Sequence, residues 1–488
     1  MSKGENITIS RAEYQELLNK SSEVDWLKDQ LEQLKRMIFG QKRERFISSD
    51  PNQRVLFDLP AEEAPEKETE QISYTREKPK KNKKQPLRAE IPNHFPRKTK
   101  ILEPENIPAD ARKIGESITE ILEYIPANVY VLKFIRPKYI VENNDEETKI
   151  AIAPLPSLPI SKGNAGASMI AHILISKFID HLPYFRQSKI FKRQNLYIPD
   201  STIGGWANTA ITNWLAPLWE AMKTKMVETD YLMADETPIP VLTKDKPGST
   251  HRGYHWVYYD PVRKMAVFDY QESRGREGPK NFLKDFKGTL QTDGYSAYDK
   301  LGNKIKFLAC FAHARRKFEI ALKNDPVRAK RALMLIQELY EIEREAGEAE
   351  LSFDEIKTLR QEKSVPVLKK FKKFLIEEKP RVLPKSAIGK AFSYTLHLWP
   401  RLKGYVEDGR YKLDNNLIEN SLRGVALGRK NYLFAGSHEG AKNAAIVYSL
   451  VTTCKINDIE PFQWLKETLE TIPDYPAKHL YKLIPGQK

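Results

Sequence analysis

Residues 231–242 read YLMADETPIPVL: an apolar run that closes on an acid, Asp235, and leaves through prolines expected to stop strand pairing. Downstream, HWVYYD (255–260) and MAVFDY (265–270) are two further strands around a turn at Asp260 and Pro261, which predicts an antiparallel meander. GPKNFLKDF (278–286) is a short helix. GTLQTDG (288–294) then repeats the first geometry, an apolar strand ending in Asp293, with Gly294 turning the chain away. A fifth apolar run, KIKFLAC (304–310), leads into a basic helix expected from His313 to Leu322, and a charged, mostly helical stretch follows to Asp408.

LDNNLIENSLRGVALGRKNYLFAGS (413–437) opens another helix, capped by Asp414 or Asn415, with Glu419 about one turn in. Arg423 lies four residues further on, on the same helical face, able to orient that carboxylate or hold a phosphate beside it. One strand-end Asp or one helix Glu is an ordinary solvated acid. Asp235, Asp293 and Glu419, delivered from two strand ends and one helix, are instead the ligand set for two hard cations, Mg²⁺ or Mn²⁺, because Mg²⁺ takes few protein ligands and keeps its waters and substrate phosphates.

Upstream, Ser10 with Glu13 forms a capping box, and Leu17, Val24, Leu31 and Ile38 recur every seven residues, so residues 1–50 are expected to form a coiled-coil helix offering self-association. Residues 51–100 read as a linker, acidic and proline-rich at first. From Arg76 to Lys100 it holds ten Lys or Arg against two Glu, either a solvated tether or a stretch following DNA phosphates. Residues 101–160, with NVYVLKFIRPKYIV (128–141), suggest a small β-containing module. At 161–226, QSKIFKRQ (187–194), a turn, and a second helix capped by Asp200 or Ser201 have helix-turn-helix spacing. Arg186, Lys189, Lys192 and Arg193 would suit phosphate contacts, although two helices joined by a tight turn are also plain packing.

The chain has 488 residues and a formal net charge of +15, consistent with several domains and a polyanionic partner. Cys310 and Cys454 are its two cysteines, too few for a disulfide framework or a four-cysteine zinc site. No secretory pattern or membrane-length apolar run occurs, which predicts a cytoplasmic location and no membrane partner. His251 and His255 fall beside a turn and a strand, where residues four apart do not converge on a metal. No nucleotide-loop or serine-hydrolase string is present.

These residues resemble the insertion sequence 66 family of bacterial transposases, of the Asp-Asp-Glu type. The match is carried by ADETPIPVL (234–242), TDGYSAY (292–298), DNNLIENSLRGVALGRKNYLFAGS (414–437) and GAKNAAIVYSLVTTCKIN (440–457), and more weakly by PANVYVLKFIRPKY, HLPYFRQSKIF and MIFGQKRERF. The resemblance implies a multidomain α+β protein with an N-terminal DNA-binding portion and an RNase H-like α/β catalytic core. That core would span 227–325 and 409–488, interrupted by a helical insertion at 326–408. It implies metal-dependent cleavage at transposon ends and strand transfer into target DNA, at Asp235, Asp293 and Glu419. Arg423, Arg429 and Lys430 are then candidate DNA contacts.

Related transposases carry a Cys-x-x-His pair after the second Asp, matched here by Cys310 and His313, for which a structural role near the site is expected. Many members also have a cysteine-bearing zinc module near 101–144. Its cysteines are absent, so no zinc is expected. A homo-oligomer, nucleoid association in a bacterial cell, and accessory proteins of the same element complete the expectations. Two alternatives stay open: a silent, transposase-derived DNA-binding protein, and an RNase H-fold nuclease that cuts without joining.

Overall fold

The computed structural model describes residues 129–135, 138–142, 148–152, 156–160, 163–243, 248–302 and 304–487. The expected coiled coil at 1–50 and linker at 51–100 lie outside the described residues. The chain divides into two compact units, one spanning residues 44–154. The described part of that unit contains an antiparallel hairpin, β1 (Lys138–Glu142) with β2 (Thr148–Ile152), in register from Lys138↔Ile152 to Glu142↔Thr148. Residues 129–135 are exposed and outside any strand, so the expected β-rich run begins only at Lys138. Strand propensity alone gives no strand where no edge is present to pair.

The second unit opens with helices α1 (Ala167–Phe178), α2 (Tyr184–Arg193), α3 (Asp200–Ala210) and α4 (Ala216–Val227). Gln187 Nε2 donates to Ile173 O at 3.2 Å and Leu182 O at 2.9 Å, locking α2 against α1. The cap of α3 is Pro199 rather than Asp200 or Ser201, and the helix does not stop near Leu215. A π turn, Ile211–Leu215, carries it straight into α4, where Pro217 lacks the N–H that a regular helical turn would need.

A five-stranded mixed sheet follows: β3 (Tyr231–Leu242), β4 (Thr250–Asp260), β5 (Met265–Gln271), then β6 (Gly288–Thr292) and β7 (Ile305–Ala309), in the order β5-β4-β3-β6-β7. β3, β4 and β5 form the antiparallel meander. A short helix, α5 (Glu277–Phe282), crosses to β6, which pairs parallel with β3, as β7 does with β6. The β4–β5 turn is held by buried Asp260, whose Oδ1 accepts from the Val262 and Arg263 N–H groups at 2.9 Å each.

The prolines of β3 do not end its pairing, contrary to the expectation above. The strand runs on through Pro238 and Pro240, opposite Tyr254 and Arg252, to Leu242 opposite Thr250. The reason is parity. Pro240 O accepts from Ala435 N at 2.8 Å and Leu242 N donates to Ala435 O at 2.9 Å, so the even positions of this segment face away from β4. The missing proline donors therefore fall on the side where no ladder bond to β4 is made.

After β7 come α6 (Phe311–Ala321), which starts two residues before His313, then α7 (Pro326–Glu348), α8 (Phe353–Leu359), α9 (Val365–Glu378), α10 (Ala387–His397) and α11 (Trp399–Leu402). Phe318, Phe371, Phe392 and Trp399 form their aromatic core, with ring centroids 5.7–6.1 Å apart. The chain then returns to the sheet, where α12 (Asn416–Tyr432) packs along β3 and β4, followed by α13 (His438–Ile456) and α14 (Pro461–Thr471).

Helix α13 covers the edge strand β5. Ser449 Oγ accepts from Phe268 N at 2.8 Å and Thr453 Oγ1 from Ala266 N at 3.1 Å, while Trp219 Nε1 donates to Phe268 O at 3.0 Å. The edge groups that would otherwise template another strand are thereby used. No described helix is long and apolar enough to cross a membrane.

Candidate active site

β3 and β6 are paired from Tyr231↔Thr289 to Met233↔Gln291. Carrying that register two residues further brings Asp235 level with Asp293. Asp235 is thus mid-strand in β3, but it lies where the parallel pairing ends. Asp235 Oδ1 accepts from Glu236 N at 2.7 Å, and Asp293 Oδ1 from Tyr295 N at 2.8 Å, which fixes one oxygen of each carboxylate. Gly294, at φ 91°, makes the turn after Asp293, and a Cβ there would sit 2.7 Å from Leu398 Cδ1.

Glu419 lies in the first turn of α12, whose start is tied to the end of β7. Phe311 N donates to Leu413 O at 3.1 Å, and Asn415 N donates to Cys310 Sγ at 3.2 Å. Asp414 Oδ1 accepts from Asn416 N at 3.0 Å, and Tyr340 OH donates to Asp414 Oδ2 at 2.9 Å. Asn415, the cap residue, is fully buried with neither side-chain amide atom hydrogen-bonded. Arg316 of α6 approaches Glu419 Oε2 at 3.8 Å, whereas Arg423 is exposed.

Electrostatics join the three acids. Burial pushes the Asp235 carboxyl up to about 8, helped by the like charges of Glu236, Asp293 and Glu419. His313 is lowered from its ordinary value, first by burial and also by Arg316, against the opposing pull of Asp293 and Glu419. Its Nδ1 is buried without a partner. Burial pushes the Cys310 thiol up to about 12, so it remains a neutral thiol at physiological pH.

The reading from residues alone passed over Glu236, beside Asp235. Its side chain is 2% exposed, receives Arg274 Nε at 2.8 Å and Tyr298 OH at 3.1 Å, and is raised by burial despite them. Arg274 stacks on Tyr295 at 4.0 Å, and Tyr394 OH donates to Asp293 O at 2.8 Å. These groups surround the loop that presents Asp293. Arg316 was legible only as part of the basic run HARRKF, since nothing in the sequence says which helix packs beside α12.

The other candidate contacts divide. Arg429 is half-buried and donates from Nη1 to Pro238 O, so its guanidinium holds α12 on β3 rather than facing solvent. Lys430 is exposed. Arg186, Lys189, Lys192 and Arg193 are all exposed on α2, away from the three acids in the chain and on a helix packed against α1 and α3.

Residues 162–443 match the Transposase IS66 family, residues 26–99 a segment described as Transposase C of IS166 homeodomain, and residues 449–485 the IS66 C-terminal element. Among similar proteins, Uncharacterized protein y4jD of Sinorhizobium fredii is 31% identical over 477 residues, 91% of either chain. Uncharacterized protein y4hP of the same organism is 32% identical over 494 residues, covering 94% of this chain and 87% of its own. The chain is a transposase and belongs to the IS66 family.

Proposed function

We propose that this transposase cuts DNA at the ends of its element and joins the freed 3′-hydroxyl to target DNA, using Asp235, Asp293 and Glu419 on an RNase H-like core. What supports this most directly is that Asp235 and Asp293 each stand two residues beyond the last β3–β6 pair, Met233↔Gln291, while Glu419 on α12 is near enough for its charge to act on Asp235. The mixed sheet, with both aspartates leaving its parallel half on one side, supports the RNase H-like assignment.

The donor set fits divalent cations. Asp235 is a carboxylate whose ionisation is opposed by burial and by three neighbouring acids, a situation that a bound cation reverses. Among the described residues no three His, Cys, Asp or Glu side chains are grouped closely enough to hold an ion by themselves, and Mg²⁺ ordinarily completes its coordination with waters and substrate phosphates. Asp235, Asp293 and Glu419 would hold two Mg²⁺ or Mn²⁺ ions, which lower the pKa of the attacking oxygen and offset charge on the phosphate.

The chain's own groups position the reactants. The Glu236 and Tyr295 N–H groups each fix one oxygen of an aspartate, leaving the other free to ligate. Arg316 balances Glu419 and stands ready for the scissile phosphate. In the cut, a water oxygen bonds to phosphorus while the 3′-oxygen leaves and takes a proton. In the joining step that 3′-hydroxyl attacks a target phosphate and displaces a second 3′-oxygen. Two ends must be held at once, so two or more copies of the chain work together.

The test is a cleavage and strand-transfer assay with Mg²⁺ on labelled DNA carrying the element's own ends, wild type against Asp293→Ala. Joining that the substitution abolishes supports the proposal. Cutting without joining would favour a nuclease, and binding with neither reaction a silent DNA-binding protein.

A further inference from the structure

Helix α12 ends in a conformation that leucine rarely adopts. Leu433 has φ 61° and ψ −48°, and Phe434 N donates to Tyr432 O at 2.6 Å, so Leu433 is the centre of a three-residue γ-turn of positive φ. That turn is strained for any residue with a bulky side chain. The strain gains no packing. Leu433 is 63% exposed and Phe434 39% exposed, so the turn thrusts two large apolar side chains into solvent.

The tip is nonetheless rigid. Ala435, the next residue, forms an isolated parallel bridge to Val241, with hydrogen bonds to Pro240 O and from Leu242 N, and Arg429 clamps the last helical turn to Pro238 O. Its surroundings are basic. Lys430 is exposed one turn back, and exposed Arg252 lies opposite Pro240 on the next strand. A rigid apolar point set among cations matches a duplex, whose phosphates the cations meet and whose base steps the apolar side chains enter.

The tip also lies at a fixed reach from the acids. From Glu419 to Tyr432 along α12, and from Asp235 to Val241 along β3, the path is about 20 Å, or about six base steps of DNA. We infer that Leu433 and Phe434 form a wedge that unstacks the bound DNA about six steps from the scissile phosphate, kinking it into the site. The inference rests on the proposed cleavage at Asp235, Asp293 and Glu419.

The experiment places single 2-aminopurines along a duplex carrying the element's terminal sequence and reads fluorescence on binding of the full-length protein, with cleavage measured on the same duplexes. The expected result is a rise confined to about the sixth step from the cut. It should be lost in Leu433→Gly and in Phe434→Ala, while the melting temperature of Leu433→Gly, freed of its strained φ, is unchanged or higher. Cleavage by the wild type with no rise at any position would overturn the wedge and leave the catalytic proposal standing. So would a rise that persists in both variants. A protein that neither binds nor cuts would overturn both.

Discussion

Cys310 Sγ accepts a 3.2 Å hydrogen bond from the Asn415 N–H, joining the end of β7 to the residue from which α12 starts. Both groups are buried, so Cys310→Ala leaves a donor without a partner and costs about 1–3 kcal/mol, while Cys310→Ser keeps an acceptor and costs less. Glu419 lies four residues beyond Asn415. Cleavage should therefore fall in Cys310→Ala even where the protein remains folded, and recover in Cys310→Ser. Denaturant unfolding together with cleavage rates checks both points.

Asp235 is held at a cost to the fold. Its carboxyl titrates near 8 in the folded chain, raised first by burial, against about 4 when unfolded. The stability linked to it is present below about pH 4 and lost as pH rises through about 8. In metal-free buffer at pH 8, Asp235→Asn should stabilise the protein, on the order of 2 kcal/mol, and flatten this pH dependence while removing cleavage. Melting curves from about pH 4 to beyond about pH 8 measure it.

His255 works in the opposite sense. Burial lowers it to about 4, its Nε2–H donates to Ala441 O at 3.0 Å, and Nδ1 has no partner. The stability it contributes is present above its unfolded value near 6.5 and is lost as pH falls toward 4, on the order of 3 kcal/mol. His255→Gln, which keeps a donor for Ala441, should remove that acid sensitivity. The wild-type and variant difference in melting temperature between pH 7 and about pH 5 isolates the effect.

Positioning and DNA affinity should separate among the cations. Arg316→Ala is expected to lower the cleavage rate by about tenfold or more with little change in affinity, and Arg423→Ala to do less. Replacing Arg186, Lys189, Lys192 and Arg193 together by alanine should leave the rate at saturating DNA unchanged. If all four meet phosphates, it reduces the slope of log K against log salt by about 3.6. Binding titrations across a salt series give the slope.

Much of the sheet could be read from the chain because most of its strands are apolar runs bounded by a turn or a glycine, as at Asp260 and Gly294. Asp235, Asp293 and Glu419 stood out in the sequence because two follow apolar runs and the third opens a capped helix; their role as one site is the proposal made above. The course of β3 beyond Asp235 was not legible, since a proline stops a strand only when its missing donor faces a partner, and parity relative to β4 is a tertiary fact. The approach of Arg316 to Glu419 could not be read because α6 and α12 are about a hundred residues apart in sequence, nor the Arg429 bond to Pro238 O, because nothing local says which side of α12 faces β3. The γ-turn at Leu433 carries no glycine or asparagine to announce it.

The most direct test of the account is metal-dependent cleavage of end DNA by Asp235→Asn, Asp293→Asn and Glu419→Gln, measured alongside binding of the same DNA. Each substitution removes one charge with almost no change in shape. The account predicts that every one of them binds end DNA and loses cleavage by about a thousandfold or more. Near wild-type cleavage by any of the three would contradict the assignment of that residue, and with it the single site built from all three.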